Sequence, residues 1–286
     1  MIINADDFGL ASGVNRAVEE AHARGVLTST SVLVAGAYAA EIGEVSARFP
    51  ELGVGLHINL TFGRPICKPE EVRSLVDNDG RFHLDVVRRA FRGEVRPEEV
   101  FREVSAQASR LGSLGVRADH WDSHQGVALW PVLVRPVAAA ARKAGIRCTR
   151  SPRVWVVDDP WPPSLARWKY RLRGVEGLIA DTASRMAGLV LRRHFAMPDW
   201  RTSAKLAQRG GRRGYAHAWA CTFDALPSGV SEIVSHPAHV DAELTQLDPS
   251  LGDERSVDLA VLADTSRAEH LEAAGLRLIR FDDLLR

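Results

Sequence analysis

The 286-residue chain predicts a single α/β domain in which short strands alternate with helices at the spacing of a parallel sheet or barrel. Three observations lead there. Short β-rich runs recur between segments of helical periodicity, Gly, Pro and Asp-Gly turns punctuate them, and no flexible linker separates one half from the other. A hydrophobic content of 45% with 26% charged residues supplies a sizeable core.

The elements follow in order. Ile2 to Ala5 reads as a buried strand. Ser12 to Arg24 reads as a helix with Val14, Ala17, Val18 and Ala21 on one face and Gly25 as its stop. A strand over Thr30 to Val34 precedes a helix from Tyr38 to Phe49, which halts before Pro50. Val54 to Leu60 is a third strand. Pro65 to Phe82 is a long loop closing on Asp77-Asn78-Asp79-Gly80. Pro97 opens a helix to about Leu111, with Glu98 and Glu99 where the helix dipole favours anions. Then come a strand near Arg117 to Asp122, a helix near Val132 to Ala144 and a strand near Ile146 to Thr149. The C-terminal part gives a strand over Ser231 to Ser235, a helix over Ser256 to Ala274 and a last strand over Leu276 to Phe281.

The stretch from about Ser151 to Tyr215 breaks this rhythm and reads as a mainly helical insertion. It is locally cationic, contains Trp155, Trp161, Trp168 and Trp200, and carries Leu165, Trp168, Leu172, Val175, Ile179, Met186 and Leu189 at helical spacing. An apolar stripe packed on the core explains this pattern; a lid over a site, or a basic amphipathic surface near anionic lipid, also fits it.

Charge and cysteine usage exclude some classes. With 37 Lys+Arg against 36 Asp+Glu, a surface devoted to nucleic acid is not expected. Cys67, Cys148 and Cys221 include no CxxC pair, which argues against both a disulfide framework and a thiolate zinc site. No secretory leader or transmembrane span is expected, and a cytoplasmic location follows by default.

Four segments at predicted strand ends carry chemistry. Asn4-Ala5-Asp6-Asp7-Phe8-Gly9 places two carboxylates at the end of an apolar strand, where they need cationic neutralisation unless Asp7 or Ser12 merely caps the next helix. Gly53-Val54-Gly55-Leu56-His57-Ile58-Asn59 buries an imidazole, either as a ligand or as a hydrogen-bonded core histidine. Asp119-His120-Trp121-Asp122-Ser123-His124 aims His120, Asp122 and His124 at one face if the chain stays extended. Ser231-Glu232-Ile233-Val234-Ser235-His236-Pro237 ends another strand on an imidazole, a group that can deliver a proton near neutral pH. One carboxylate and two imidazoles around a divalent ion leave open positions for water and substrate, and a spare carboxylate can serve as general base.

These segments, together with Gly55-Leu56-His57-Ile58-Asn59-Leu60-Thr61-Phe62-Gly63-Arg64-Pro65, resemble the YdjC-like carbohydrate deacetylases, which include the chitooligosaccharide deacetylases. The resemblance spans residues 2–241 and is weakest across the insertion. It implies an irregular TIM-like (β/α) barrel, often a homodimer, that removes acetyl from an N-acetylated amino sugar with one divalent metal ion. Matched position by position, Asp7, His57 and His124 are the expected metal ligands, Asp6 the general base and His236 the general acid. His120 and Asp122 are expected to lie behind the ligands and orient His124. The family's third motif usually has another histidine where this chain has Gly126.

The expected reaction is amide hydrolysis that yields acetate and a free amine. The two-histidine, one-aspartate donor set suits zinc, magnesium and several other divalent metals. Rival readings are deacetylation of a sugar-bearing lipid such as a hopanoid intermediate, a non-catalytic sugar-binding protein, and phosphoester hydrolysis with Arg150 as the cationic clamp.

Overall fold

The computed structural model describes residues 1–155, 174–208, 214–247 and 253–286. Its centre is a seven-stranded parallel sheet built from β1 (Ile2–Phe8), β2 (Ser29–Val32), β3 (Gly53–Ile58), β4 (His120–Ser123), β5 (Cys148–Thr149), β6 (Trp200–Thr202) and β7 (Ser231–Ser235). The spatial order is β5-β4-β3-β2-β1-β7-β6. The helices between the strands are α1 (Ser12–Arg24), α2 (Ile42–Arg48), α3 (Val86–Phe91), α4 (Pro97–Ser113), α5 (Pro131–Lys143), α6 (Gly174–Leu191), α7 (Ala204–Gln208) and α8 (Tyr215–Asp224). After β7 come α9 (Ala242–Leu247), α10 (Asp253–Leu262) and α11 (Arg267–Ala273).

The sheet curls until its two edges meet. Isolated parallel bridges join Cys148 to Ala196 and Val154 to Arg201. Across that seam Thr149 N–H donates to Ala196 C=O at 3.0 Å, and Trp155 N–H donates to Arg201 C=O at 2.8 Å. Closing the seam satisfies backbone groups that an open edge would leave unpaired. The result is a barrel of seven strands, fewer and less regular than the eightfold TIM arrangement.

Helices cover the outside of the barrel. Val14, Ala17, Val18 and Ala21 of α1 are buried, as the periodicity predicts, and every residue of β1 and β3 is buried. Fully burying a side chain as large as Phe8 or Leu56 stabilises the fold by about 1.5–3 kcal/mol each. The inside is polar at one end. Asn4, Asp6, Ser31, His57, Asp122, Arg150 and Glu232 are all buried. The opposite end is plugged by Phe281, which clusters with Ile2 and Cys148 and stacks on His120 at a ring separation of 3.9 Å. Gly55 is required there: a Cβ on it would sit 2.3 Å from His120 Nε2.

Some expectations need correction. Leu276 to Phe281 is no strand: residues 276–280 form no regular element, and Phe281–Leu285 is a 3-10 turn. The segment is tied to the start of β1 by Ile279 N–H donating to Met1 C=O at 2.9 Å, then turns inward so that Phe281 can fill the barrel end. The single helix expected over Ser256 to Ala274 is two, because Asp264 Oδ1 accepts from the N–H and Oγ of Ser266 and breaks the run. The stretch expected as an insertion contributes β6 to the barrel itself. The helical expectation for residues 156–173 lies outside the described residues, and α6 follows them.

Candidate active site

The first, third, fourth and seventh strands bring the four sequence segments to one end of the barrel, at the strands' C-terminal ends. Asp6 and Asp7 diverge because Asp7 adopts φ 70, an uncommon backbone state for a residue other than glycine. Asp6 keeps the inward direction of Asn4, whose Nδ2 donates to Asp6 Oδ1 at 2.9 Å. Neither Asp7 nor Ser12 caps α1; Ala11 is its N-cap residue and makes no side-chain cap.

Asp7 faces two imidazoles. Its Oδ1 lies 3.4 Å from His57 Nε2 and 3.2 Å from His124 Nδ1. The ligand atoms of Asp7, His57 and His124 all fall within 4.8 Å of one another. Charge-assisted N–H···O bonds are usually shorter, about 2.7–2.9 Å. Two donors about 2.1 Å from a shared cation instead lie about 3.0–3.4 Å apart at octahedral to tetrahedral angles. Both Asp7–imidazole spacings match those of donors sharing a small divalent ion.

His57 is held from behind by Asp122. Its Nδ1 donates to Asp122 Oδ1 at 2.7 Å, and Ser31 Oγ donates to Asp122 Oδ2 at 3.0 Å. Carrying the proton on Nδ1 leaves Nε2 with the lone pair a ligand needs. Asp122 thus orients His57, not His124 as expected, and it does so because the two residues pair directly across β3 and β4. His120 departs further from expectation. It bonds to Asp119 and stacks on Phe281 at the plugged end of the barrel. Its imidazole supports packing there, away from the Asp7 donors.

Asp6 sits in a different environment. Arg150 donates to it twice, from Nη1 to Oδ2 at 2.9 Å and from Nη2 to Oδ1 at 2.6 Å. The same guanidinium lies 2.6 Å from Asp122 Oδ2 and donates from Nε to Glu232 Oε1 at 2.7 Å. Only 7% of the Arg150 side chain is exposed. Arg150 is accordingly no phosphate clamp at the mouth, since buried carboxylates occupy it. His57, Asp6 and Asp122 form a second group of potential donors, but Arg150 already fills the space an ion would need beside both carboxylates. His236 is 42% exposed, and its Nε2 lies 3.9 Å from Asp6 Oδ2.

The charges respond to these neighbours. Burial pushes Asp7 upward, but hydrogen bonds from His124 and His57 and the charge of Arg255 hold it well below the usual carboxylate range. Burial lowers His57, yet the charge and hydrogen bond of Asp122, with Asp7 and Asp6 nearby, raise it to about 10 in the metal-free protein. Burial raises Asp122, and the charges of Arg150 and His57 more than reverse this, leaving it depressed. Glu232 is raised by burial despite Arg150.

Sequence reasoning missed Ser31, Glu232 and Arg255. A glutamate inside the apolar strand Ser231–Ser235 was a usable signal, because a buried carboxylate demands a cationic partner. Arg255 gave no such signal; it reaches Asp7 across 248 residues of sequence. At the expected motif histidine, Gly126 has φ 67, following Gln125 at φ 54, so the chain turns in left-handed backbone that favours glycine.

Fold and donor set together define a parallel (β/α) barrel whose strand ends carry two histidines and one carboxylate that could hold a metal ion. The chain belongs to the YdjC-like protein family, whose profile matches residues 1–273. A carbohydrate deacetylase of Thermoanaerobacter pseudethanolicus is 29% identical over 284 residues, covering 99% of this chain and 98% of that protein. A chitooligosaccharide deacetylase of Serratia marcescens is 37% identical over 147 residues, covering 51% of this chain and 57% of that protein. The crystal structure of a candidate cellobiose-phosphate cleavage protein from Enterococcus faecalis V583 superposes with a TM-score of 0.74 at 28% identity, covering 99% of this chain and 97% of that one.

Proposed function

We propose that this chain is a metal-dependent carbohydrate N-deacetylase that hydrolyses the acetamide of an N-acetylated amino sugar, with a short chitooligosaccharide as the first substrate to test. The observation that carries this reading is the spacing of Asp7 Oδ1 from both imidazoles beside a second, separately held carboxylate. The two full-length and half-length relatives named above as deacetylases support the same reaction.

Asp7, His57 and His124 would hold the divalent ion, zinc or magnesium by donor type. When bound, the ion supplies Lewis acidity, activating water as a nucleophile and polarising the acetamide carbonyl. Asp6 accepts the proton of the attacking water, and Arg150 fixes the direction of its carboxylate through two hydrogen bonds. His236, across the same small space and partly exposed, gives a proton to the departing sugar nitrogen. Asp122 keeps the His57 proton on Nδ1. The products are acetate and a free amine.

The test is acetate release from N-acetylglucosamine oligomers by protein stripped with chelator and then resupplied with zinc or magnesium. Activity lost on stripping and regained on addition supports the reading. Tight metal uptake with no acetate released from any N-acetyl sugar contradicts it and favours a non-catalytic binding protein. Among the described residues no helix is long and apolar enough to cross a membrane.

A further inference from the structure

Resting on the metal-site reading above, we propose that Arg255 is a positioning residue for Asp7: it holds one carboxylate oxygen so that the other stays between the two imidazoles. Arg255 Nη2 donates to Asp7 Oδ2 at 2.7 Å, whereas His57 and His124 face Oδ1. The guanidinium and the proposed ion therefore use different oxygens and do not compete. Only 6% of the Arg255 side chain is exposed, and its Nε and Nη1 have no hydrogen-bond partner among the described residues. Asp7 is the sole described ion-pair partner of this buried cation. In return, Arg255 is the only described group bonded to Oδ2.

The pinning is needed because the backbone does not supply it. Asp7 sits at φ 70, a state that costs free energy for a residue with a Cβ and is held only by its surroundings. Without Arg255 the carboxylate can rotate about its side-chain torsions and swing Oδ1 away from the imidazoles. The helix carrying Arg255 is attached by other means. Asp258, one turn further along α10, accepts the His236 N–H at 2.8 Å and the Trp219 indole N–H at 2.8 Å. Ala238 N–H also donates to the Arg255 carbonyl at 3.2 Å. One helix thus braces both the Asp7 carboxylate and the strand end that presents His236, and changing the Arg255 side chain leaves the backbone attachments intact.

The test compares Arg255→Met, Arg255→Lys and Arg255→Gln with wild type in calorimetric titrations of zinc into chelator-stripped protein. A crystal structure of metal-free Arg255→Met and thermal melting of all four metal-free proteins complete the set. Loss of a group that orients a metal ligand typically weakens metal affinity about 10- to 100-fold, and that loss is expected for Arg255→Met. Arg255→Lys should recover most of it, and the crystal structure should show Asp7 Oδ1 withdrawn from at least one imidazole. Wild-type zinc affinity in Arg255→Met with Asp7 unmoved overturns the proposal. A lowered melting temperature with unchanged zinc affinity overturns it too, since that is the mark of a merely structural role. Should Arg255→Met fail to fold, Arg255→Gln, whose shorter side chain withdraws the guanidinium from Asp7 Oδ2, takes its place: weakened zinc binding is expected, and wild-type affinity with Asp7 unmoved overturns the proposal. If wild type itself takes up no zinc, the metal reading fails, and the position of Asp7 in the metal-free variant still decides the proposal.

Discussion

Asp6 and Asp7 are neighbours on one strand end, share one side-chain chemistry and are both buried, yet the protein gives them opposite surroundings. Asp6 lies against a guanidinium that also serves Asp122 and Glu232, so its direction is fixed by a dense ionic network. Asp7 turns through a positive φ to lie between two imidazoles, with its far oxygen on Arg255. Under the proposed mechanism, this contrast divides a repeated residue type between two roles. A carboxylate locked by hydrogen bonds can move a proton at a defined place, whereas one set between two imidazoles can share an ion with them.

The largest effect expected from this division is at Asp7. Asp7→Ala should lose both the bound ion, measured by elemental analysis, and acetate release down to background. Retained stoichiometric metal in that variant breaks the contrast. Asp6→Asn should keep the ion and lose about 10²–10⁴-fold in kcat, the usual worth of a general base. A fully active Asp6→Asn enzyme removes Asp6 from that role.

Next comes the network behind Asp6. Arg150→Met strands three buried carboxylates without their shared cation, and urea unfolding should show a loss of about 3–5 kcal/mol, the usual cost of removing one partner of a buried ion pair. Unchanged stability would mean that Asp6 is not held as described.

A further effect, spread over several pH units, is in pH dependence. The metal-free protein raises His57 from 6.5 to about 10. A raised folded value stabilises the folded state fully below the unfolded value, so this contribution should be complete below pH 6.5 and lost as pH rises towards 10. An ion must displace the same proton, so metal affinity should rise about tenfold per pH unit over that window, with one proton released per ion. Calorimetry in buffers of different ionisation enthalpy counts that proton, and a count of zero contradicts the protonation state given to His57.

The sequence made much of this legible. The helix Ser12–Arg24 and the strand Ser231–Ser235 have the bounds that their periodicity and flanking residues predict. Asp-Asp, His57 and His124 could be singled out because charged or imidazole groups at the ends of apolar strands demand partners. Register was not legible. That Asp122 serves His57 depends on their alignment across two strands, and nothing in the segment Asp119–His124 encodes it. Arginine partners were hidden for a similar reason. Arg150 reads as an exposed clamp until three carboxylates from other strands close around it, and Arg255 is one of many arginines until the barrel brings its helix to Asp7. The last segment misled because the Leu, Ile and Phe residues of Leu276 to Phe281 read like those of a strand, whereas Phe281 serves as a plug.

Joint retention of one ion by Asp7, His57 and His124 underlies every role proposed above. Its most direct test is the metal content of wild type, His57→Ala and His124→Ala after stripping, resupply with zinc and removal of excess. One ion per wild-type chain and substantially less than one in each variant are expected. A full complement of ion in both variants would contradict it.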